Sequence, residues 1–425
     1  MNTFRTTGLL RDRNFPLLLS GQIVSAAGDQ AQGMALPLVV LALTGSTTRA
    51  GLVLGLGTLS FLVFGLAAGA LADRFDRRAL MVWCDAARAV LTAGVAVALW
   101  RDALGMPQLY ATAVLSGMLT TLFQAANSAA LPGVVGPHRL AAALGWSQTA
   151  SGAIGLLGAP LAGVLYAAGR VVPFAANALS FAASALALRL LRADLRPPAA
   201  PASRRLTGEI REGLRWLWGQ PVIRFLTLVG AADKIRYGAG YLLIVTLARQ
   251  AGATPPWIGV IFGGAAAGTM AGALVSRHAV RRFPLGRIAV VMLWSEALMF
   301  PLYALAPGPL TLALVAAAES VVAPVYTVAM TTHQLSVTPD ALRGRASAAV
   351  STLTTGALSA GTLAGGFLLS ALGTHPLVWA CSAWLAALAL LTTVNPAVRG
   401  APRRRGEPRE RPAGRRRDSG DRAVR

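Results

Sequence analysis

Long apolar runs separated by short charged or Gly/Pro-containing turns fill most of the chain. A helix that crosses a bilayer needs about 20 mostly apolar residues. Twelve stretches satisfy this, at roughly 15–44, 50–72, 79–100, 108–134, 140–168, 170–192, 221–248, 256–277, 286–306, 309–333, 343–373 and 376–395. None shows the strict two-residue alternation of a strand, so the pattern predicts an all-α membrane protein.

The connections alternate in charge. Arg5, Arg11, Arg13, Arg74, Arg77, Arg78, Arg139, Arg204, Arg205, Arg281, Arg282, Arg343 and Arg345 fall on one side, against Arg49, Arg101, Arg170 and Arg249 on the other. Basic loops stay inside, so the reading puts both termini in the cytoplasm. Arg5, Arg11 and Arg13 ahead of an apolar run superficially resemble a signal peptide. That run is too long for one, and it is read as a retained first span.

Composition agrees with this class. Only 13% of residues are charged and mean hydropathy is +0.57, where a soluble protein carries about 25% charged residues. The 45 glycines suit helices that approach closely within a bilayer. The net charge of +22 does not indicate a nucleic-acid partner, because the basic residues sit in loops rather than on one soluble face. Nearly all of them are arginine, and Lys234 is the only lysine. Cys84 and Cys381 lie in apolar segments and indicate neither a disulfide framework nor a zinc site. No Gly-Lys-Ser/Thr nucleotide loop, hydrolase-type Gly-x-Ser-x-Gly or metal-ligand cluster occurs, so neither a cofactor nor an enzymatic activity is expected.

Four segments follow from the breaks: an N-terminal six-helix bundle (1–192), a linker (193–220), a C-terminal six-helix bundle (221–395) and a basic tail (396–425). In the linker, Pro197, Pro198 and Pro201 form a breaker cluster. After it Leu206, Ile210, Leu214 and Leu217 recur at helical spacing. This predicts a short amphipathic helix, lying on the inner membrane surface or packed on the helix ends. The Arg- and Pro-rich tail has too little apolar content to order itself and suits contact with anionic headgroups.

The two bundles repeat at an offset near 203. Ala68-Gly69-Ala70-Leu71 returns as Ala271-Gly272-Ala273-Leu274, Arg74 as Arg277, Pro137 and Leu140 as Pro339 and Leu342, Gly163 as Gly365, and Ala27-Gly28-Asp29 as Ala231-Ala232-Asp233. Between spans two and three runs Gly69-Ala70-Leu71-Ala72-Asp73-Arg74-Phe75-Asp76-Arg77-Arg78. On this loop and the repeat, the chain resembles the major facilitator superfamily. The match to the pattern Gly-x-Leu-Ala-Asp-Arg-x-Gly-Arg-Arg lies at Gly69, Leu71, Ala72, Asp73, Arg74, Arg77 and Arg78, with Asp76 in place of Gly. The Asp-Arg-Phe-Asp-Arg-Arg form, Asp85 and Arg88 in span three, and the loop Pro339–Arg345 resemble the branch of drug, macrolide and enterobactin exporters.

The resemblance implies two pseudo-symmetric six-helix bundles with a substrate site between them. It also implies a cytoplasmic gate at Gly69, Asp73, Arg74, Arg77 and Arg78, to which Asp85 and Arg88 are joined. An antiporter-type pattern is partly kept: Gly158, Pro160 and Gly163 in span five, Gly361 and Gly365 in span eleven. Span four lacks the buried arginine of many proton-coupled members and carries Phe123, Gln124 and Asn127 there. In the second half Ser276 stands where Asp73 does.

A charge at the bilayer centre costs about 2.5–3.5 kcal/mol on insertion scales, so intramembrane charges point to a cavity or a partner. Asp29 and Asp233 are mid-span and symmetric, and Glu319 lies mid-span in ten. They serve either as cavity carboxylates for a proton or a cation, or as neutralised pairs such as Asp233 with Arg236. Glu296, in span nine, is read as structural, outside the cavity. Gln32, Gln124, Tyr237, Tyr241 and Tyr326 complete the candidate wall. The expected function is proton-coupled export of small amphipathic organic compounds from the bacterial inner membrane by a monomer. The alternatives are export of one siderophore, peptide or lipid, or a non-transporting sensor or assembly protein on the same fold.

Overall fold

A computed structural model describes residues 13–136, 139–193, 195–196, 206–339 and 342–399. The basic tail after residue 399, Arg5 and Arg11, the proline cluster of the linker, and Pro137, Asp340 and Ala341 lie outside the described residues.

The chain forms sixteen described helices: α1 (Asn14–Thr44), α2 (Thr47–Ala72), α3 (Arg77–Trp100), α4 (Met106–Val135), α5 (Leu140–Ala168), α6 (Val172–Arg189), α7 (Leu206–Gly219), α8 (Pro221–Gln250), α9 (Pro255–Arg282), α10 (Leu285–Met299), α11 (Leu302–Leu305), α12 (Pro309–Glu319), α13 (Val322–Val337), α14 (Arg343–Leu372), α15 (Thr374–Val394) and α16 (Pro396–Arg399). No strand occurs among the described residues. Helix starts carry prolines whose missing N–H would have no partner there anyway, as in α4, α6, α8, α9 and α12. Gly45 ends α1 at φ 64°, a conformation that Cβ-bearing residues avoid.

Eleven spans among the described residues are long and apolar enough to cross a membrane, with α10–α11 and α12–α13 each counting as one. The sequence reading expected twelve. The remaining one is α8, whose 30 residues reach about 45 Å. Its Arg224, Asp233, Lys234, Arg236 and Arg249 lower its hydropathy. It packs along α14 inside the bundle nonetheless.

Spans nine and ten are broken. Pro301 and Pro324 lack the N–H that would bond four residues back, and the helices stop at Met299 and Glu319. Irregular backbone at membrane depth is tolerated where it lines a cavity, and both breaks border one.

The two sets of helices meet through α2 with α14 and through α5 with α9. The approach is backbone to backbone. A Cβ on Gly51 would stand 2.7 Å from Gly366 Cα, and one on Gly163 would stand 2.5 Å from the Pro255 carbonyl oxygen. Gly259 and Gly263 face Ala159 and Pro160. These contacts all fall toward one end. Toward the other end, Gly65 and Gly69 of α2 and Gly145, Gly152 and Gly155 of α5 have nothing near enough to touch a Cβ.

Apolar packing follows the same division. At the closed end one core joins Met34, Leu38, Val39, Val53 and Ala162 to Leu242, Leu243, Val245, Ile258, Ile261 and Leu369 across both sets of helices. At the other end the cores are separate, one built on Phe15, Leu18, Met81, Cys84 and Leu188 and one on Leu217, Ile223, Leu226 and Met330. The bundle is thus clamped at one end and parted at the end that carries residues 73–76.

Gly366→Ala tests the clamp, since its Cβ would stand 2.6 Å from the Thr47 carbonyl oxygen. Overpacking of this kind costs about 1–3 kcal/mol. Thermal unfolding of purified protein should show that loss, whereas Gly65→Ala, in open space, should be neutral or stabilising.

Candidate functional site

Two ionic clusters sit inside the bundle, each centred on an arginine. In the first, the terminal Nη2 of Arg88 on α3 donates to both oxygens of Asp29 on α1, at 2.8 and 2.7 Å. Its Nη1 lies 3.4 Å from Asp85, one turn earlier on α3. The ring of Phe181 covers the guanidinium at 3.9 Å. Arg88 and Asp85 are buried, while the Asp29 side chain stays 43% exposed. Asp29 is therefore the member of this cluster that meets the cavity.

The second cluster gathers three carboxylates around Arg236 of α8. Nε donates to Asp233 at 2.9 Å, Nη1 to Glu319 at 3.2 Å and Nη2 to Glu296 at 3.4 Å. Tyr303 donates its hydroxyl to the other oxygen of Glu319 at 2.8 Å, and Phe300 lies 4.9 Å from the guanidinium. The helix breaks place these groups. Glu319 is the last residue of α12, Glu296 sits in the last full turn of α10, and Phe300 and Tyr303 flank the interruption at Pro301. Asp233 and Arg236 share a face because they are three residues apart.

The two halves place an acid at matching points of the repeat but draw the arginine from different helices. Asp29 and Asp233 occupy equivalent positions, but the arginine is on α3 in the first half and on α8 itself in the second. There α10, which corresponds to α3, supplies Glu296 instead. Counting formal charges, the first cluster holds two acids and one arginine, the second three acids and one arginine.

Each cluster lines a cavity. The first, of about 530 Å³, includes Asp29, Gln32, Arg88, Phe181 and Thr112, and reaches Thr355 and Leu358 on α14. The second, of about 650 Å³, includes Asp233, Lys234, Arg236, Glu296, Glu319, Tyr237, Tyr241 and Tyr326. Around these groups the walls are mostly apolar, with scattered hydroxyls, the character of a small-molecule pocket.

Other candidates take definite positions. Gln32 accepts from Asn177 at 2.7 Å. Tyr326 donates to the Leu226 carbonyl at 3.2 Å. Tyr237 is more than half exposed, and Gln124 is exposed but borders neither cavity. Phe123 is packed in the core of the first half. Tyr241 donates to the Gly33 carbonyl on α1 at 3.3 Å. Pro37, four residues on, has no N–H for that carbonyl, so a hydroxyl from the other half replaces the missing helix bond.

The side chains of the charged loop are placed as follows. Asp73 and Arg74 are exposed and make no ion pair among the described residues. Arg77 donates to the Ala129 carbonyl at 2.9 Å, and Arg78 to Leu188 at 3.2 Å and to Arg189. Cations are favoured at such carbonyls near helix C-termini. Asp76, the departure from the usual Gly, caps α3 by accepting from the backbone of Arg78 at 2.9 Å and of Ala79. Asp85 and Arg88, grouped with this loop from sequence, belong with Asp29 instead. Eight and eleven residues into α3, they lie about 12 and 16 Å deeper at 1.5 Å per residue.

Glu296 is also corrected. It borders the second cavity rather than lying outside it. The signal that sequence reasoning passed over was the mid-span arginine, which needs acids from neighbouring helices once Asp233 is assigned to it. Of the packing glycines, Gly163 presses on α9 and Gly361 and Gly365 on α8, while Gly158 faces Gln30 of α1. The predicted linker helix is α7. Its Leu217 is buried with Ile223 and Leu226, and Glu212 pairs with Arg345 of α14, so it packs on the helix ends.

A profile of the transmembrane secretion effectors, a branch of the major facilitator superfamily, matches residues 6–408. The chain belongs to that family. The multidrug efflux pump Tap of Mycolicibacterium fortuitum is 28% identical over 406 residues, 90% of this chain and 96% of that one. Tap of Mycobacterium tuberculosis strain H37Rv is 26% identical over 90% of this chain and 93% of its own. Among solved structures, the nucleoside transporter NupG (D323A mutant) superposes at TM-score 0.73 with 12% identity, covering 89% and 99% of the two chains. A bacterial homologue of the iron transporter ferroportin, in an inward-facing state, gives 0.70 with 18% identity over 91% and 98%. The chain therefore has the all-α major facilitator fold and is a multi-pass membrane protein of a transporter family.

Removing Arg236 would strand three carboxylates. Breaking a buried pair from one side costs about 3–5 kcal/mol, so Arg236→Met should lower the thermal stability of the purified protein sharply. The double variant Arg236→Met, Glu296→Gln should recover part of the loss. No recovery would show that Glu296 is energetically separate from the cluster.

Proposed function

We propose that this transporter exports small amphipathic organic compounds across the bacterial inner membrane, driven by inward proton flow through alternating access. The observation that carries the reading is the pair of acid-rich clusters facing two cavities between helices that part at one end only. Each cluster holds more carboxylates than arginines. A carboxylate that a cavity reaches inside the membrane can take up a proton on one side and give it up on the other. Export is supported by the relatives named multidrug efflux pump Tap.

The parted end carries the basic loops, so the positive-inside rule assigns it to the cytoplasm together with both termini. In this reading the structure is inward-facing. Two six-helix bundles, 1–192 and 221–395, rock about the α2–α14 and α5–α9 contacts, with 193–220 linking them. Gly69, Asp73, Arg74, Arg77 and Arg78 form the cytoplasmic gate. Unpaired here, Asp73 finds its cationic partners only when that end closes. The transporter works as a monomer, and the basic tail meets anionic headgroups.

The driving force is adequate. One pH unit gives about 1.4 kcal/mol per proton, and 100 mV gives about 2.3 kcal/mol per charge. Together they support a concentration ratio of roughly 500 for one proton exchanged with a neutral compound.

Uptake of a fluorescent dye from the medium into everted membrane vesicles, with and without a protonophore, tests the proposal. Wild-type accumulation should collapse when the proton gradient does. Asp29→Asn should stay folded in the membrane and lose gradient-driven transport, and normal transport by this variant would remove Asp29 from coupling. Asp73→Ala should slow turnover severalfold while the range of dyes accepted stays the same; unaltered turnover would remove Asp73 from the gate.

A further inference from the structure

Lys234 is the only lysine in the chain, and it stands mid-span on α8 between the two residues that organise the second cluster. It joins neither of them. Successive helical positions turn by about 100°, so Asp233 and Arg236 point together while Lys234 points aside, into the cavity. Among the described residues no carboxylate lies within ion-pair distance of it. Its Nζ rests instead 4.6 Å over the ring of Tyr237, and both residues line the 650 Å³ cavity.

An aromatic face stabilises an ammonium less than a counter-anion does. In this position the ammonium keeps at least one N–H direction open to the cavity. One turn further along α8, Tyr241 stacks with Phe262 of α9 at 4.8 Å between centroids, giving a flat apolar wall beside the charge. The acids around Arg236 line the same cavity.

We propose that Lys234, held by Tyr237, is a subsite for a carboxylate on the transported compound. The cargo class is then amphipathic zwitterions: an anionic group at Lys234, a flat apolar body against Tyr241 and Phe262, and a cationic group toward the carboxylates of the second cluster. The inference rests on the export reading and narrows its substrate class. The competing role for Lys234 is to offset the charge of the neighbouring acids without touching cargo.

Rhodamine B and its ethyl ester separate the two roles, because they share a cationic aromatic body and differ only in a free carboxylate. Binding of each to the full-length protein in lipid nanodiscs is measured by fluorescence polarisation, and the ratio of the two affinities is the readout. In wild type the ratio should favour the free acid. In Lys234→Met it should fall by about tenfold, the order expected for one hydrogen bond to a charged group, and Lys234→Arg should keep it.

A second readout needs no variant. Amine-reactive labelling, mapped by mass spectrometry to this single lysine, should be blocked by rhodamine B and not by the ester. An affinity ratio that is the same in wild type and Lys234→Met, or equal protection by both dyes, overturns the subsite and leaves the export reading standing. Binding of neither dye by wild type overturns the export reading and the subsite with it.

Discussion

An arginine inside a membrane bundle has to be surrounded by acids. Burying a guanidinium or a carboxylate alone is expensive, and the pairing that offsets it depends on tight geometry. Arg88 and Arg236 meet this constraint with carboxylates drawn from several helices. The clusters thereby tie α1 to α3 in one half and α8 to α10 and α12 in the other. The same residues that hold each half together also present carboxylates to a cavity. Structural pairing and cavity lining are therefore one arrangement here.

Where α2 meets α14 and α5 meets α9, the close approach is not made by ion pairs among the described residues. Contact is made by glycine against backbone, at Gly51 with Gly366 and at Gly163 with Pro255. Between apolar helices in lipid there is little hydrophobic drive to associate, so packing at short range does the work. A contact built mainly on backbone approach lets two rigid bodies tilt against each other. The separate cores at the parted end show that each half holds its shape without the other there.

The length and polarity of the spans were legible in the sequence, because bilayer thickness dictates them. The repeat placed Asp29 opposite Asp233, and both joined arginine clusters. Three things were not legible. Glu296 was set outside the cavity because sequence order says nothing of how a broken helix turns its end inward at Pro301. Asp85 and Arg88 were grouped with Arg77 and Arg78 by nearness along the chain, whereas 1.5 Å per residue carries them well away along α3. Asp76 looked like a lost glycine, yet a carboxylate caps the next helix as well as glycine frees the turn.

The carbonyl of Gly33 carries a final consequence. Pro37 strips it of its partner within α1, and the phenol of Tyr241 on α8 supplies one. Should those two helices draw apart, that oxygen would be left bare in an apolar setting, which is costly unless something polar arrives. A water molecule is the simplest replacement. Wetting of this one oxygen would then be tied to the distance between the halves, so the proline site in α1 would report separation as hydration, a change visible in the carbonyl stretching frequency.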